Sequence, residues 1–351
     1  MILTAAAAAT AAATAEPALR PRTAPASGDA EFLTIGIDVG GTKISCVVTD
    51  SADRIIHHHV EPTDRARLTD QIVGLARGAA DAVGSRDGRR VAAVGVAIPG
   101  QVEPRSGTAE LAVNLGAPDM DIGPTVSAQA GLPCFVEHDA RAAATWVHRR
   151  GDGADLCYLS VGTGIAAGII LGGRPLRGET GLAGEVGHTV VDANGRRCPC
   201  GSVGCLETVA AGPAIARAAR EGVAASRPTT LSPDATASDV FEAARQGDEL
   251  ALEIANGVGT HLARTLRGLV LTLGLQRIVI GGGVAGGGDA LRNPIISALN
   301  DERSASPLVE AAFAGTSIEL LSPDLEPGAR GAAYIARQRI GAHEREEVTE
   351  L

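Results

Sequence analysis

The chain has 351 residues, which is long enough for two domains of ordinary size. Aromatic residues make up only 2% of it, so a core must be built mainly from Ala, Val, Leu and Ile. The formal net charge of -10 gives no electrostatic reason to expect nucleic acid or an anionic membrane as a partner. No run of eighteen or more apolar residues predicts a membrane span.

Both ends of the chain have the composition of tails. Residues 1–30 are rich in Ala, Thr and Pro and are expected to be disordered and outside the fold. A secretory signal is a competing interpretation, but no positively charged segment precedes the alanine run, so a cytoplasmic location is expected. Residues 342–351 are expected to form a charged, frayed end.

The first half of the chain alternates strand-like and helix-like segments. The stretch FLTIGIDVGGTKISCVVTD has two apolar runs around a glycine pair and predicts a β-hairpin. Apolar residues then recur at helical spacing from Leu68 to Val83, and VAAVGVAIPG predicts a buried strand that ends in a turn. CFVEHDARAAATWVHRR predicts a short strand that runs through His138 and Asp139 into a helix.

The second half begins with the same pattern. LCYLSVGTGIAAGIILGGRPL again predicts strand, glycine turn and strand, a long helix carries Ile254 to Leu269, and RIVIGGGVAGGGDAL predicts strand, glycine loop and helix. Two glycine hairpins, each at the start of an α/β half, indicate an internal duplication with a cleft between the halves. Turns of Gly and Thr present backbone N–H groups that suit a phosphate chain, although each alone is also compatible with a plain hairpin turn.

Other nucleotide-binding motifs are absent or weak. No G-x-x-x-x-G-K-[ST] sequence occurs, which argues against a Walker A site. Gly281, Gly283 and Gly286 satisfy G-x-G-x-x-G, but they lie far from the start of the chain, where a dinucleotide fingerprint usually falls.

One imidazole and three thiols lie close together in GEVGHTVVDANGRRCPCGSVGCLE. His188, Cys198, Cys200 and Cys205 offer a tetrahedral donor set that suits a structural Zn²⁺. A disulfide is the less favoured alternative, because Cys198 and Cys200 are too close in sequence to bridge easily. The remaining cysteines lie in apolar strands and are expected to be core residues: Cys46, Cys134 and Cys157.

IGIDVGGTK, VEHDARAAA, SVGTGIAAGIIL, the His-Cys-Cys-Cys element and IVIGGG together resemble the ROK family of bacterial sugar kinases and related repressors, in the actin-like ATPase superfamily. The resemblance covers Thr34 to about Ile340. It implies a duplicated, ribonuclease H-like α/β fold with two lobes around a cleft and a zinc-binding loop. The expected lobes are 31–150, completed by a C-terminal helix at 328–341, and 151–327. The family further implies a homodimer.

The resemblance also implies an ATP-dependent kinase that phosphorylates the 6-hydroxyl of glucose or an N-acetylhexosamine. Asp139 matches the general base that accepts the proton of that hydroxyl, although Asp at this position is also a common helix cap. Sugar hydroxyls are expected to contact Glu185, His188 and Glu207, with a helix N-terminal charge as the alternative role for Glu207. Other expected sugar contacts are Gly100, Asn114 and His138.

Asp38 matches the position that holds Mg²⁺ in the family, commonly through water. Residues expected near the ATP phosphates and adenosine are Gly40, Gly41, Thr42 and Lys43 in the first turn, Gly162, Thr163 and Gly164 in the second, and Gly281, Gly282 and Gly283 in the late loop.

One residue departs from the family pattern. The usual pair is Asn-Asp, whereas this chain has His138 before Asp139, so the identity of the sugar stays open. Two non-enzymatic alternatives are a ROK regulator, which is expected to need an N-terminal winged-helix module of about 80 residues, and a sugar-binding protein without catalysis. The two phosphate turns and Asp139 favour the kinase.

Overall fold

A computed structural model describes residues 32–84, 89–110, 115 and 119–349, with the side chains of 342–349 left aside. In the first half, apolar alternation and glycine turns produce the following elements: β1 (Leu33–Val39), β2 (Lys43–Thr49), β3 (Ile55–Pro62), α1 (Leu68–Val83), β4 (Val91–Ile98), β5 (Gln101–Glu103), β6 (Thr108–Glu110), α2 (Ile122–Ala130), β7 (Cys134–His138) and α3 (Asp139–Arg150). The predicted hairpin is confirmed, because β1 and β2 pair antiparallel with Ile37 opposite Cys46.

The second half contains β8 (Leu156–Val161), β9 (Ile165–Leu171), β10 (Arg174–Pro175), α4 (Glu207–Ala210), α5 (Gly212–Ala224), α6 (Ala237–Arg245), α7 (Glu249–Leu273), β11 (Arg277–Gly281), α8 (Asp289–Ala305), α9 (Pro307–Ala312), β12 (Ser317–Leu320) and α10 (Pro327–Thr349). Among the described residues, no helix combines the length and the apolar character that crossing a bilayer requires.

The two halves form sheets of the same topology. The first sheet has the order β3-β2-β1-β4-β7 and the second the order β10-β9-β8-β11-β12. In each, the three hairpin strands are antiparallel and the other two run parallel to the first strand of the hairpin. Each sheet lies against its own apolar core. The predicted duplication is confirmed, and the fold is the duplicated α/β fold of actin-like ATPases.

Two helices exchange places between the halves. Helix α3 follows the first sheet but packs against β8 and β9 of the second, whereas α10 follows the second sheet and packs against β1 and β4 of the first. The helices also pack against each other. Their close approach requires glycine: a Cβ on Gly36 would lie 1.9 Å from the carbonyl oxygen of Ala329, and one on Gly168 would lie 1.9 Å from that of Ala140.

The last helix differs from the predicted segment. It begins at Pro327 and continues to Thr349, through most of the region expected to be a charged tail. Ala, Glu and Arg are strong helix formers, so the backbone continues helically after the last residues that pack on the first sheet. Helix α10 therefore returns the end of the chain to the first half.

Candidate active site

A cavity of about 650 Å³ lies at the carboxyl ends of β1, β7 and β11. Segments from both halves line it: the β1–β2 turn, the β8–β9 turn, the beginnings of α3 and α10, and the loop that precedes α6. A cavity of this size is in the range of small-molecule sites. It is also where open α/β sheets commonly bind their ligands.

The two glycine turns both line this cavity and approach each other closely. Gly40 donates to the carbonyl of Lys43 at 3.0 Å and closes the first turn, and Gly162 donates to the carbonyl of Gly164 at 2.9 Å in the second. A Cβ added to Gly41 would lie 3.1 Å from Cγ2 of Thr163. The turns therefore meet at their tips. Both are lined with small residues that leave room for a phosphate chain.

Neighbouring side chains hold the first turn in place. The hydroxyl of Thr63 donates to the carbonyl of Gly40 at 2.7 Å, and the guanidinium of Arg65 donates to the carbonyl of Gly41 at 3.0 Å. Thr42 and Lys43, the remaining residues of the turn, also line the cavity. The turn is therefore oriented by the segment that follows β3.

Glu207 supports the second turn. It is the first residue of α4, it is only 8% exposed, and its Oε2 accepts the N–H of Ile165 at 2.9 Å. The carbonyl of Gly162 accepts the N–H of Gly212 at 2.8 Å, which ties the same turn to α5. Glu207 also lines the cavity. It therefore lies both at the start of a helix and beside the site.

The late glycine loop reaches the cavity only in part. Gly282 and Gly283 line it, whereas Gly281 is the last residue of β11 and packs against the ring of Tyr158. Gly282 has a φ of 83°, and a Cβ there would lie 2.5 Å from the carbonyl oxygen of Val161. This position therefore requires glycine.

Asp38 lies at the end of β1, against the backbone of Gly328 at the start of α10. Burial and the nearby carboxylates of Asp139 and Glu326 raise the pKa of Asp38 to about 8, against the opposing attraction of Lys43. Three carboxyl groups near one another in a cleft repel, and a cation between them would relieve that repulsion. Asp38 would hold a magnesium ion in this position.

Asp139 and His138 lie where β7 passes into α3. Asp139 is the first residue of the helix, and its Oδ1 accepts the N–H of Ala140 at 2.6 Å. His138 is 1% exposed, and its Nε2 lies 3.0 Å from Oε1 of Glu185. These residues line the same cavity as the glycine turns.

A buried ionic network lies next to His138 and Asp139 in the chain. Glu137 accepts the Nε–H of Arg141 at 2.9 Å and also binds Arg177. Burial alone would raise the pKa of Glu137, but the two guanidinium groups hold it below its ordinary value. Arg141 donates further to the carbonyl of Gly181 at 2.9 Å, which fixes the loop leading to Glu185.

Two predicted sugar contacts have different outcomes. Gly100 lines the cavity with a φ of 106°, a conformation that favours glycine after Pro99. Asn114 lies outside the residues that the structure describes.

The His-Cys-Cys-Cys element forms one cluster. Its four ligand atoms all lie within 4.8 Å of one another, with 3.6 Å between Nδ1 of His188 and Sγ of Cys198 and 3.7 Å between the sulfurs of Cys200 and Cys205. Tetrahedral zinc with bonds of about 2.3 Å to sulfur and about 2.0 Å to nitrogen requires ligand separations of about 3.5–3.8 Å. The cluster therefore fits Zn²⁺, and all six cysteines are free of disulfides.

His188 joins the His-Cys-Cys-Cys element to the cavity. Its Nδ1 faces Cys198, while its Nε2 lies 4.0 Å from Oε2 of Glu185. A metal on Nδ1 would fix the ring and so the orientation of Nε2. The loop itself depends on Gly204, where a Cβ would lie 1.6 Å from the carbonyl oxygen of Asp192.

Sequence analysis missed two acidic residues of the cavity, Asp234 and Glu326. Glu326 is 8% exposed, has a φ of 51°, and contacts His58 of the edge strand β3 at 3.4 Å. The only local signal for Glu326 was an acidic residue directly before the Pro-Gly that begins α10. His58 lies on the edge strand β3 between His57 and His59, and it contacts Glu326, which lines the cavity.

The ROK family model matches residues 34–339, so the chain belongs to the ROK family. A glucokinase of Halalkalibacterium halodurans is 33% identical over 339 residues, which cover 90% of this chain and 98% of the relative. An N-acetylmannosamine kinase of Escherichia coli is 32% identical over 257 residues, which cover 72% and 84%. A crystal structure of a ROK glucokinase from Streptomyces griseus in complex with glucose and AMPPNP has a TM-score of 0.74 and 31% identity, and covers 87% of this chain and 99% of that one.

Proposed function

We propose that this protein transfers the γ-phosphoryl group of ATP to the 6-hydroxyl of a hexose or an N-acetylhexosamine. The observation that supports this most is the placement of two closely approaching glycine turns and Asp139 in a single cavity. Its family membership and its glucokinase relatives are consistent with the same reaction.

In this proposal the backbone amides of the turns bind the phosphates of ATP from opposite sides. Asp139 accepts the proton of the sugar hydroxyl as its oxygen attacks the γ-phosphorus, and ADP leaves. Phosphoryl transfer depends mainly on positioning and on neutralising charge, so one carboxylate and these turns are sufficient protein chemistry. Asp38 would hold a magnesium ion, which when bound would supply positive charge to the phosphate oxygens. Lys43 adds a second positive group in the first turn.

Three side chains on one wall of the cavity are proposed to bind the sugar: Glu185, His188 and Glu207. Carboxylates accept hydrogen bonds from adjacent hydroxyls, and a ligand without those hydroxyls would leave charges unpaired. Relatives named for glucose and for N-acetylmannosamine favour these two sugars as the first to test. We further propose that structural zinc fixes His188 in this wall.

The general-base role is tested with Asp139→Asn. We expect kcat to fall about 10²- to 10⁴-fold, because the amide cannot accept the proton, while the sugar Kd changes by no more than a few fold. Exposed Asp81 in α1 provides the matched control, and Asp81→Asn should keep full activity. A nearly normal kcat in Asp139→Asn would remove this residue from the reaction.

A screen of sugars separates a kinase from a sugar-binding regulator. ADP release is measured with glucose, mannose, glucosamine, N-acetylglucosamine and N-acetylmannosamine, and binding of each is measured by calorimetry. A kinase releases ADP with at least one sugar. Sugar binding without ADP release from any of them would favour the non-catalytic alternative, since the cavity would then recognise the ligand without chemistry.

A further inference from the structure

One buried histidine contacts both the proposed general base, Asp139, and a proposed sugar-binding residue, Glu185. His138 is buried at the end of β7, and its two ring nitrogens face different carboxylates. Nε2 lies 3.0 Å from Oε1 of Glu185, and Nδ1 lies 3.3 Å from Oδ1 of Asp139. The imidazole therefore stands between the proposed sugar-binding group and the proposed base.

The chemistry of this contact favours one protonation state. Carboxylate oxygens only accept hydrogen bonds, whereas a neutral imidazole has a single N–H. Oδ1 of Asp139 accepts the N–H of Ala140 and is also the oxygen of that carboxyl group nearest the ring. Only an imidazolium offers a donor to both Glu185 and Asp139. In the present geometry Nδ1 of His138 is buried and has no regular hydrogen bond among the described residues, so a small rotation of Asp139 would complete the second contact.

The charges around the ring are consistent with the imidazolium. Burial lowers the pKa of His138, but Asp139 and the hydrogen bond to Glu185 outweigh it and raise the pKa above its ordinary value. Arg141 opposes this, yet Glu137 neutralises it at 2.9 Å.

The remaining charged groups lie one step away from the ring. Arg177 binds Glu137, Nε2 of His188 lies 4.0 Å from Oε2 of Glu185, and Asp38 interacts electrostatically with Asp139. Among the described residues, the hydrogen-bond and ion-pair partners of the ring are Glu185 and Asp139, not these three groups.

We propose that His138 is held as an imidazolium that positions Asp139 and Glu185 relative to each other, so that sugar recognition and proton acceptance form one unit. This rests on the proposed kinase function. An asparagine at this position could not take this role, because its amide has donors at one end only. His138 would thus act as a positioning residue, and turnover would require its protonated form.

The charge state is tested directly by NMR on the full-length, zinc-loaded protein labelled with ¹⁵N-histidine. His138→Gln identifies the resonance by its loss, and His148→Gln serves as the control, since His148 is a half-buried residue of α3 outside the cavity. We expect His138 to remain an imidazolium at pH 7. A neutral tautomer at pH 7 would overturn the proposal. This readout does not depend on turnover, so it separates the inference from the kinase assignment.

The coupling is tested by the pH dependence of kcat/KM. In the wild type we expect activity to fall at alkaline pH as His138 loses its proton, and in His138→Asn that alkaline limb should disappear. The variant should lose about ten- to hundredfold in kcat/KM, through both kcat and sugar KM, because charge-assisted hydrogen bonds are lost at both carboxylates. The same alkaline limb in His138→Asn and in the wild type would overturn the proposal.

Discussion

Replacing Asp38 by Asn tests the electrostatics of the cleft through the pH dependence of stability. Because the pKa of Asp38 is raised from an ordinary 3.8 to about 8, the carboxylate is less stable in the folded protein than in the unfolded chain. The folded state then holds a proton that the unfolded state releases, so the stability linked to Asp38 falls as pH rises from about 4 to about 8. Replacement by Asn removes this linkage.

The magnitude follows from the shift. The raised pKa of Asp38 destabilises the folded state at every pH above the ordinary value of 3.8. Each pH unit between 3.8 and 7 adds about 1.36 kcal/mol, so the destabilisation at pH 7 has an upper limit of about 4 kcal/mol. Water in the open cavity screens part of it. We expect Asp38→Asn to raise the free energy of unfolding by about 1–3 kcal/mol at pH 7 without ligands, while activity is lost.

The assay is urea unfolding of the magnesium-free, nucleotide-free protein at several pH values between 4 and 8. The single tryptophan, Trp146, is buried and donates to Asp53 at 2.8 Å, so its fluorescence reports the packing of α3. The difference between Asp38→Asn and wild type should be near zero at pH 4 and grow towards pH 8. Asp81→Asn is the control. A difference that is absent, or that destabilises the variant at pH 7, would refute the reasoning.

Two further predictions concern the metal cluster and the helix exchange. Cys200→Ser should lose the single zinc ion expected per chain and lower the melting temperature, whereas Cys134→Ser, outside the cluster, should keep its zinc. Elemental analysis measures the zinc content and calorimetry measures the melting temperature. Wild-type protein without zinc would contradict the assignment. Gly36→Ala should cost about 3 kcal/mol in urea unfolding, because its Cβ would enter the carbonyl of Ala329. Gly74→Ala, where a Cβ meets nothing within 4 Å, should be neutral or stabilising; equal effects of the two changes would argue against the close helix contact.

Much of the local structure could be predicted because it is encoded by local patterns. The period of two around Gly40 and Gly41 predicts a hairpin, the spacing from Leu68 to Val83 predicts a helix with the observed bounds, and both appear in the structure. The grouping of His188 with three cysteines could also be predicted, since the chemistry of one imidazole and three thiols is nearly independent of the fold around them.

Other features depend on contacts between segments that are distant in the chain. Glu326 becomes part of the cavity only because α10 returns from the second half to the first sheet, nearly three hundred residues after β1. Nothing around Arg177 indicates that it binds Glu137, since that ion pair joins segments 40 residues apart. The contact of His138 with both carboxylates likewise needs β7, α3 and the loop at Glu185 to meet.

The amino-acid sequence by itself therefore determined the two hairpins, several of the strands and helices that follow them, the glycine turns and the grouping of one imidazole with three thiols. Hydrophobic period, turn chemistry and donor type act over short stretches of chain. Only the tertiary structure decided that the turns approach each other closely and which charges surround Asp38 and Asp139. Those outcomes depend on the exchange of α3 and α10 between the sheets, where bare glycine backbone lets each helix approach. Packing over long sequence separations has no signature in a local pattern.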